Sequence, residues 1–367
     1  MKRRGISRET ARVCVTLLVS TSALAEGLRL PFLETSTAAS HEHRHHSEGA
    51  DGCSSPKVET MLRALGSESD ALYRRLLEVH PNPAAAAVVE VGVFNGQQCL
   101  EAAAAGFSSV FCFEPSPANF NNSAAAIAAS PITPEQKAAI QLVNMAVSNT
   151  AGGTMEFHSK GTSGDYAGST IAAAFQHEAS AEAAPITIAT TTLDEYLPGK
   201  LPNLAEGGRH RGGAYGRHVA AEAGASDAHV KELYIVKIDT QGFDGMVIEG
   251  MKELLRHKQV AYILLELWPK AMGLPGRKSC EETLHLLASS GYTLHDLAMP
   301  DIVYQYGTAK TKAELGHASM VRPDDIEGLC GWFLEHSNEY GMWTDILAVA
   351  DPLLGGHSCS MHHSTNA

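Results

Sequence analysis

Cations are scarce for a chain this acidic: 28 Lys and Arg stand against 41 Asp and Glu, a formal net charge of -13. That balance argues against general affinity for nucleic acid phosphates or for anionic lipid. There is no Cys-x-x-Cys, so neither a zinc ribbon nor a thioredoxin-type motif is supported. Beyond the N-terminal segment no stretch approaches the roughly 20 apolar residues of a membrane span. Internal repeats are absent. The first glycine turn also lacks the middle glycine of Gly-x-Gly-x-x-Gly, the residue that admits a pyrophosphate in dinucleotide sites. Phe94 stands there instead, and its ring would obstruct a diphosphate.

What the chain does have is length and apolar content. Its 367 residues, 44% hydrophobic, suffice for one large α/β domain with flanking segments or for two smaller domains. Lys2, Arg3, Arg4, Arg8 and Arg12 precede a mostly apolar run, Val13 to Ala25, that ends Ser-Ala-Leu-Ala. This is the pattern of a secretory signal cleaved after Ala25, so residues 1–25 are expected to direct the protein to the secretory pathway, lumenal or secreted. An uncleaved signal-anchor is the alternative that would add a membrane, and the Arg, Ser and Thr content keeps an organellar leader open. Residues 26–56 read as a disordered linker rich in His and Ser, with His41, His43, His45 and His46 clustered, and residues 351–367 as a disordered tail.

Cys99 and Cys112 fall in apolar surroundings and read as buried core thiols. Cys53, Cys280, Cys330 and Cys359 are candidates for disulfides in an oxidising compartment, with the pairing left open. Asn121-Asn122-Ser123 is a lone glycosylation sequon.

Between linker and tail, residues 57–350 alternate between strand and helix patterns. Val58 to His80 has helical periodicity, with Met61, Leu62, Leu65, Leu72, Leu76 and Leu77 on its apolar face, and Pro81 and Pro83 stop it. Ala84 to Val89 is the first strand and Phe111 to Phe113 ends the second. Helices are expected over 100–105 and 119–129, and a strand over 140–144. Thr154 to His158 and Ile186 to Thr191 are strands outside the main alternation, followed by a capped helical turn at 192–197. Ser159 to Ser169 reads as a Gly- and Ser-rich loop. Residues 198–230, dense in Gly, Ala, Arg and His, read as a surface insertion. The alternation resumes with a strand at 233–238, one helix over 247–257, a strand at 260–265 and a helix over 281–290 ended by Gly291. Tyr292 to Leu297 and Gly331 to Leu334 are the candidates for the last strands. Such alternation specifies a mostly parallel sheet with helices on both faces.

In an open parallel sheet, ligands sit outside the carboxyl ends of the strands. Four apolar runs here end in a carboxylate: Glu90, Glu114, Asp239 and Glu266. An acid closing the second strand is placed to accept hydrogen bonds from ribose hydroxyls. A sulfonium and an ammonium without phosphate suit such an acidic rim, so the pattern points to S-adenosylmethionine rather than a dinucleotide.

Six segments then occur in order: 88–96, 113–120, 144–148, 192–197, 236–244 and 264–267. Together they resemble the FkbM-type methyltransferases over roughly residues 86–300. The resemblance implies an α/β Rossmann-like class I methyltransferase sheet, with an extra strand pair and the Gly/Arg/His-rich insertion. It also implies S-adenosylmethionine as donor and O-methylation of a hydroxyl on a sugar, glycan or natural product. Glu90, Gly92, Asn95 and Gly96 would form the first cofactor loop. Glu114 would hold the ribose, and Met145 or Ala146 would lie near the adenine. Lys237, Asp239 and Gln241 would face the reacting centre, with Asp239 as the candidate base. Its competing role is to cap the turn at 240–242 or to hold the cofactor's amino end. His158 and His177 are weaker candidates, and no metal ligand set is identifiable. Two departures stand out. Glu90 is one methylene longer than the usual Asp, and Gln241 replaces a frequent Glu and cannot serve as a charged base. The rival readings are a non-catalytic secreted binding domain on the same fold and a nicotinamide-dependent oxidoreductase.

Overall fold

Ala86–Val91 (β1) is buried along its whole length, as a strand covered on both faces must be. The computed structural model describes residues 62, 69–157, 186–201, 232–297, 302–305, 308–311, 319–337 and 341–350, all within the unit Ala50–Ala367. The N-terminal segment, the linker, the Ser159–Ser169 loop, His158, His177, Cys53, Cys359 and the tail lie outside the described residues.

In chain order the next strands are β2 (Ser109–Phe113), β3 (Ile140–Val143), β4 (Ala146–Val147), β5 (Thr154–Phe157), β6 (Ile186–Thr191) and β7 (Glu232–Ile238). They are followed by β8 (Val260–Leu267), β9 (Tyr292–Asp296), β10 (Ile302–Gln305), β11 (Thr308–Thr311), β12 (Ser319–Val321) and β13 (Thr344–Ala350). Eight of them form one sheet in the order β12-β9-β13-β8-β7-β1-β2-β3. The run β3-β2-β1-β7-β8 is parallel throughout. β13 lies antiparallel between β8 and β9. The fold is therefore a mostly parallel, Rossmann-like α/β sheet. The expected extra strand pair is β5 against β6, antiparallel, with β4 added on β6's other side.

Alternation along the strands splits the core into two layers. Ala86 and Val88 point to one face, packing with Leu72, Tyr73, Leu76 and Leu77 of α1 (Ser69–Val79) and with Ala102 and Ala103 of α2 (Gln97–Ala104). Ala87, Val89 and Val91 point to the other. A Val or Leu side chain among these contributes on the order of 1.5–3 kcal/mol when fully buried. The remaining helices are α3 (Pro117–Ala129), α4 (Pro134–Ala138), α5 (Leu193–Tyr196), α6 (Asp244–Glu249), α7 (Lys252–Arg256), α8 (Pro269–Met272), α9 (Cys280–Ser289) and α10 (Ile326–Glu335). Helices α6, α7, α9 and α10 supply the second layer. Local signals fix their ends: Ser279 forms a capping box with Glu282, and Gly291, at φ 81°, closes α9.

Four expectations are corrected. The single helix over 247–257 is two, α6 and α7. A side chain at Gly250 would overlap the carbonyl oxygen of Ser148. Asp194 then caps the new N-terminus, accepting from Glu253 N at 2.9 Å and Leu254 N at 3.0 Å. Gly331 to Leu334 is not a strand but lies within α10, where Ile326, Leu329, Cys330 and Phe333 recur at helical spacing and are buried. The missing last strand is β13. Cys99 and Cys112 are not free thiols: they are joined in a disulfide between α2 and β2, and Cys280 pairs with Cys330 between α9 and α10. Finally, the surface insertion does not begin at Pro198, because Leu201 is still part of the core.

Candidate active site

The chain moves outward from β1 to β2 and β3, then returns to β7 on β1's other side. The carboxyl ends of β1 and β7 thus flank a topological switch point, the place where α/β sheets bind ligands. Gly92 follows β1 at φ 92°, and a Cβ there would overlap the carbonyl oxygen of Asp239. The two strand ends approach this closely only because Gly92 has no side chain. Phe94 (φ 54°) and Gln241 (φ 57°) are non-glycine residues in the left-handed region, one on each side of the crevice. Such conformations cost about 1–3 kcal/mol each and cluster at functional sites.

A cavity of about 390 Å³ opens here. Of the residues singled out in the sequence, Gly92, Asn95, Lys237, Asp239 and Glu266 line it. Asp239 Oδ1 accepts from Gln241 Nε2 at 2.8 Å, and its Oδ2 faces Lys237 Nζ at 3.5 Å. The Gln241 amide also reaches Glu266 Oε1 at 3.4 Å, so it bridges two carboxylates. A glutamate there would place a third anion against them. The turn that Asp239 was expected to cap is capped instead by Asp244. Its carboxylate accepts from Thr240 N at 2.9 Å and Gly242 N at 2.8 Å, and it is fully buried. Asp239 is released from that duty, and its side chain is 40% exposed.

Burial draws the Lys237 pKa down, but Asp239, Glu90 and Asp345 outweigh it and push it to about 12. Lys237 is a fixed cation, unfit to accept a proton near neutrality. Glu266 is not a strand-closing residue, since β8 continues to Leu267. Burial, followed by Asp239, Asp244 and Asp345, holds its pKa well above the usual carboxylate range. Its Oε2 is buried with no hydrogen-bond partner.

Glu90 and Glu114 lie outside the cavity lining. Glu90 is buried beneath the loop, its Oε2 2.9 Å from Cys99 Sγ. A disulfide sulfur carries no proton, so the donor of that contact has to be Glu90 itself. This agrees with its pKa, which burial raises to about 8 against the opposing pull of Lys237. Glu114 is buried behind the loop, accepting from Phe94 N at 2.8 Å and Ser116 N at 2.8 Å. Burial raises its pKa, partly offset by the backbone donors of Phe94, Ser116 and Val93 and by the Asn119 side chain. Asn95 Oδ1 accepts from Gln97 N at 3.0 Å, and Gly96 (φ 80°) is the N-cap of α2. Ser123 of the sequon is buried and donates to Phe94 O at 3.2 Å. Ala146 is packed with Phe157 and Ile188 in the three-stranded sheet.

Sequence reasoning missed Asp70, Trp343 and Asp345, which also line the cavity. Trp343 and Asp345 come from the start of β13, and no signal short of recognising that reversed strand leads to them. Asp244 had a signal: an Asp four residues after Thr240, placed to accept from the turn's backbone.

The strand order and the crevice define the class of protein, a Rossmann-like α/β fold with an acid-lined site at its switch point. No family model matches the chain, and no curated protein does. Among solved structures, the CcbJ methyltransferase from Streptomyces caelestis is similar at 10% identity and TM-score 0.26, over 83% of this chain and 93% of that one. At that TM-score the likeness carries no weight for fold or function.

Proposed function

We propose that the protein is an S-adenosylmethionine-dependent methyltransferase of the FkbM type that O-methylates a hydroxyl of a sugar, glycan or natural product. The observation that carries this reading is the carboxylate-lined cavity at the ends of β1, β7 and β8, reached by a glycine turn whose diphosphate position is Phe94. Three of the six FkbM-type segments, 88–96, 236–244 and 264–267, supply residues to the lining of this crevice. The reversed β13 also departs from the all-parallel 3-2-1-4-5-6 order of dinucleotide folds. The residues present fit the cofactor. Gly92 permits close backbone approach, since only a residue without a side chain fits against the Asp239 carbonyl. Disulfides at Cys99–Cys112 and Cys280–Cys330 favour an oxidising compartment, in keeping with the secretory reading of residues 1–25.

When bound, S-adenosylmethionine supplies a methyl group on a sulfonium leaving group. The chain's share is alignment and removal of the acceptor hydroxyl's proton. Asp239 takes that proton. Gln241 orients its carboxylate, and Lys237 Nζ lies 3.5 Å from its other oxygen. Glu114 is assigned to the ribose side of the cofactor, as the motif series implies, and Gly92–Gly96 to its amino-acid end.

Calorimetric titration with S-adenosylmethionine and its demethylated product, followed by labelled-methyl transfer to hydroxyl compounds, tests the reading. Asp239→Asn should keep the fold and most donor affinity while lowering single-turnover rate by about 10²-fold or more. A parallel loss of donor affinity would assign Asp239 to the cofactor's ammonium. Failure of the wild-type protein to bind the donor would leave a non-catalytic binding domain.

A further inference from the structure

The far wall of the cavity is built from residues that the reaction does not require. β13 runs against β8, so it delivers its first residues to the carboxyl end of β8. Asp345 consequently lies directly opposite Glu266 in the ladder. Like charges so placed repel. Burial raises the Asp345 pKa to about 6, and Asp239 and Asp70 add to the rise, with Ser69 and Lys237 opposing. Four carboxylates line the cavity (Asp70, Asp239, Glu266 and Asp345) against two cations, leaving a formal charge of -2. Of the cations, Arg74 pairs with Glu101 at 3.1 Å, and Lys237 lies 3.5 Å from Asp239. Asp70 accepts from Gln98 Nε2 at 2.7 Å. Glu266 Oε2 remains buried without a partner.

Two apolar groups also line the cavity, Trp343 beside this wall and Phe94 from the β1 side. They are 49% and 41% exposed. The four acids do not converge on a metal. Among the described residues, only Glu90, Cys99 and Cys112 bring three ligand atoms together, and those sulfurs are joined. Separated carboxylates and aromatic rings lining one cavity suit an organic cation rather than a point charge.

We propose that this wall is the acceptor subsite and that it takes a hydroxyl compound carrying a protonated amine. The ammonium sits between Glu266 and Asp345, and the carbon frame lies against Trp343 and Phe94. The word acceptor rests on the methyltransferase reading, while the preference for an amine does not.

The test titrates the full chain with tyramine and with 4-ethylphenol, which shares the ring and hydroxyl but lacks the amine. Heat and tryptophan fluorescence report binding, with Trp343→Phe as the optical control. Tyramine should bind at least about tenfold more tightly. In Glu266→Gln/Asp345→Asn that preference should fall towards unity, and Trp343→Ala should weaken both compounds. Equal affinities for the wild type, no tyramine binding at millimolar concentration, or a preference that survives the double variant would each overturn the proposal. Titrating the same samples with S-adenosylmethionine separates the two readings. Donor binding without amine preference sinks only the amine subsite. Amine preference without donor binding sinks the methyltransferase and leaves the subsite standing.

Discussion

The two walls of the crevice are built from the same kinds of residue and finished differently. On the β1–β2 side, polar groups satisfy one another. Glu114 accepts two backbone N–H groups, Asn95 caps Gln97, Ser123 donates to Phe94 O, and Asn144 Nδ2 donates to Glu114 O at 2.8 Å. On the β7–β8–β13 side, carboxylates face one another with raised pKa values and an orphaned oxygen. A strand-tip acid is therefore not one kind of object. Glu114 helps hold a loop in shape, whereas Glu266 and Asp345 lower stability in a way that a positively charged ligand would relieve.

The largest effect that would sharpen this contrast belongs to the buried acid beneath both walls. Glu90 keeps its proton in the folded protein up to about pH 8, whereas in the unfolded chain it loses it near its ordinary 4.5. Between those values the native state binds more protons, so stability falls as pH rises through that window. The total is on the order of 5 kcal/mol at 1.36 kcal/mol per unit. Glu90→Gln keeps a donor towards Cys99 Sγ and removes this slope. Denaturant midpoints at pH 5 and pH 8 for both proteins measure it, and identical slopes would mean that Glu90 is ionised beside Lys237.

Next in size is Gly92→Ala. It adds a Cβ against Asp239 O at a positive φ, and should cost on the order of 3 kcal/mol in denaturant unfolding. A change under about 1 kcal/mol would show that the two strand ends can separate. Smaller, and aimed directly at the two walls, is a pair with opposite signs. Glu114→Ala strands the N–H groups of Phe94 and Ser116 and should destabilise by about 1–3 kcal/mol. Glu266→Gln relieves repulsion from Asp345 and Asp239 and should stabilise the ligand-free protein by about 1 kcal/mol or less. Destabilisation by both variants, measured in the same buffer, would erase the distinction between the walls.

The parallel half of the sheet was legible because β1, β2 and β7 are short, largely buried apolar runs closed by an acid or a glycine. β1, β2, β3 and β7 lie within a residue or two of where those signals place them. β13 was not legible. The run Gly331 to Leu334 offered an apolar alternative, too short to distinguish strand from helix without the wider 326–333 period. Missing that strand hid the half of the site carrying Trp343 and Asp345. The Cys99–Cys112 link was equally hidden, since burial makes a thiol and a half-cystine look alike in sequence. Gln241 was read as a lost base. Its amide bridging Asp239 and Glu266 is a role that only the fold reveals.

The direction of β13 has a practical consequence. Its first residues stand at the crevice, while Ala350 pairs with Tyr292 at the start of β9, at the opposite end of the sheet. A bead, sensor chip or fusion partner joined at Ala350 is attached at the rim remote from the cavity. Immobilised in that orientation, the protein would present its crevice to whatever flows past.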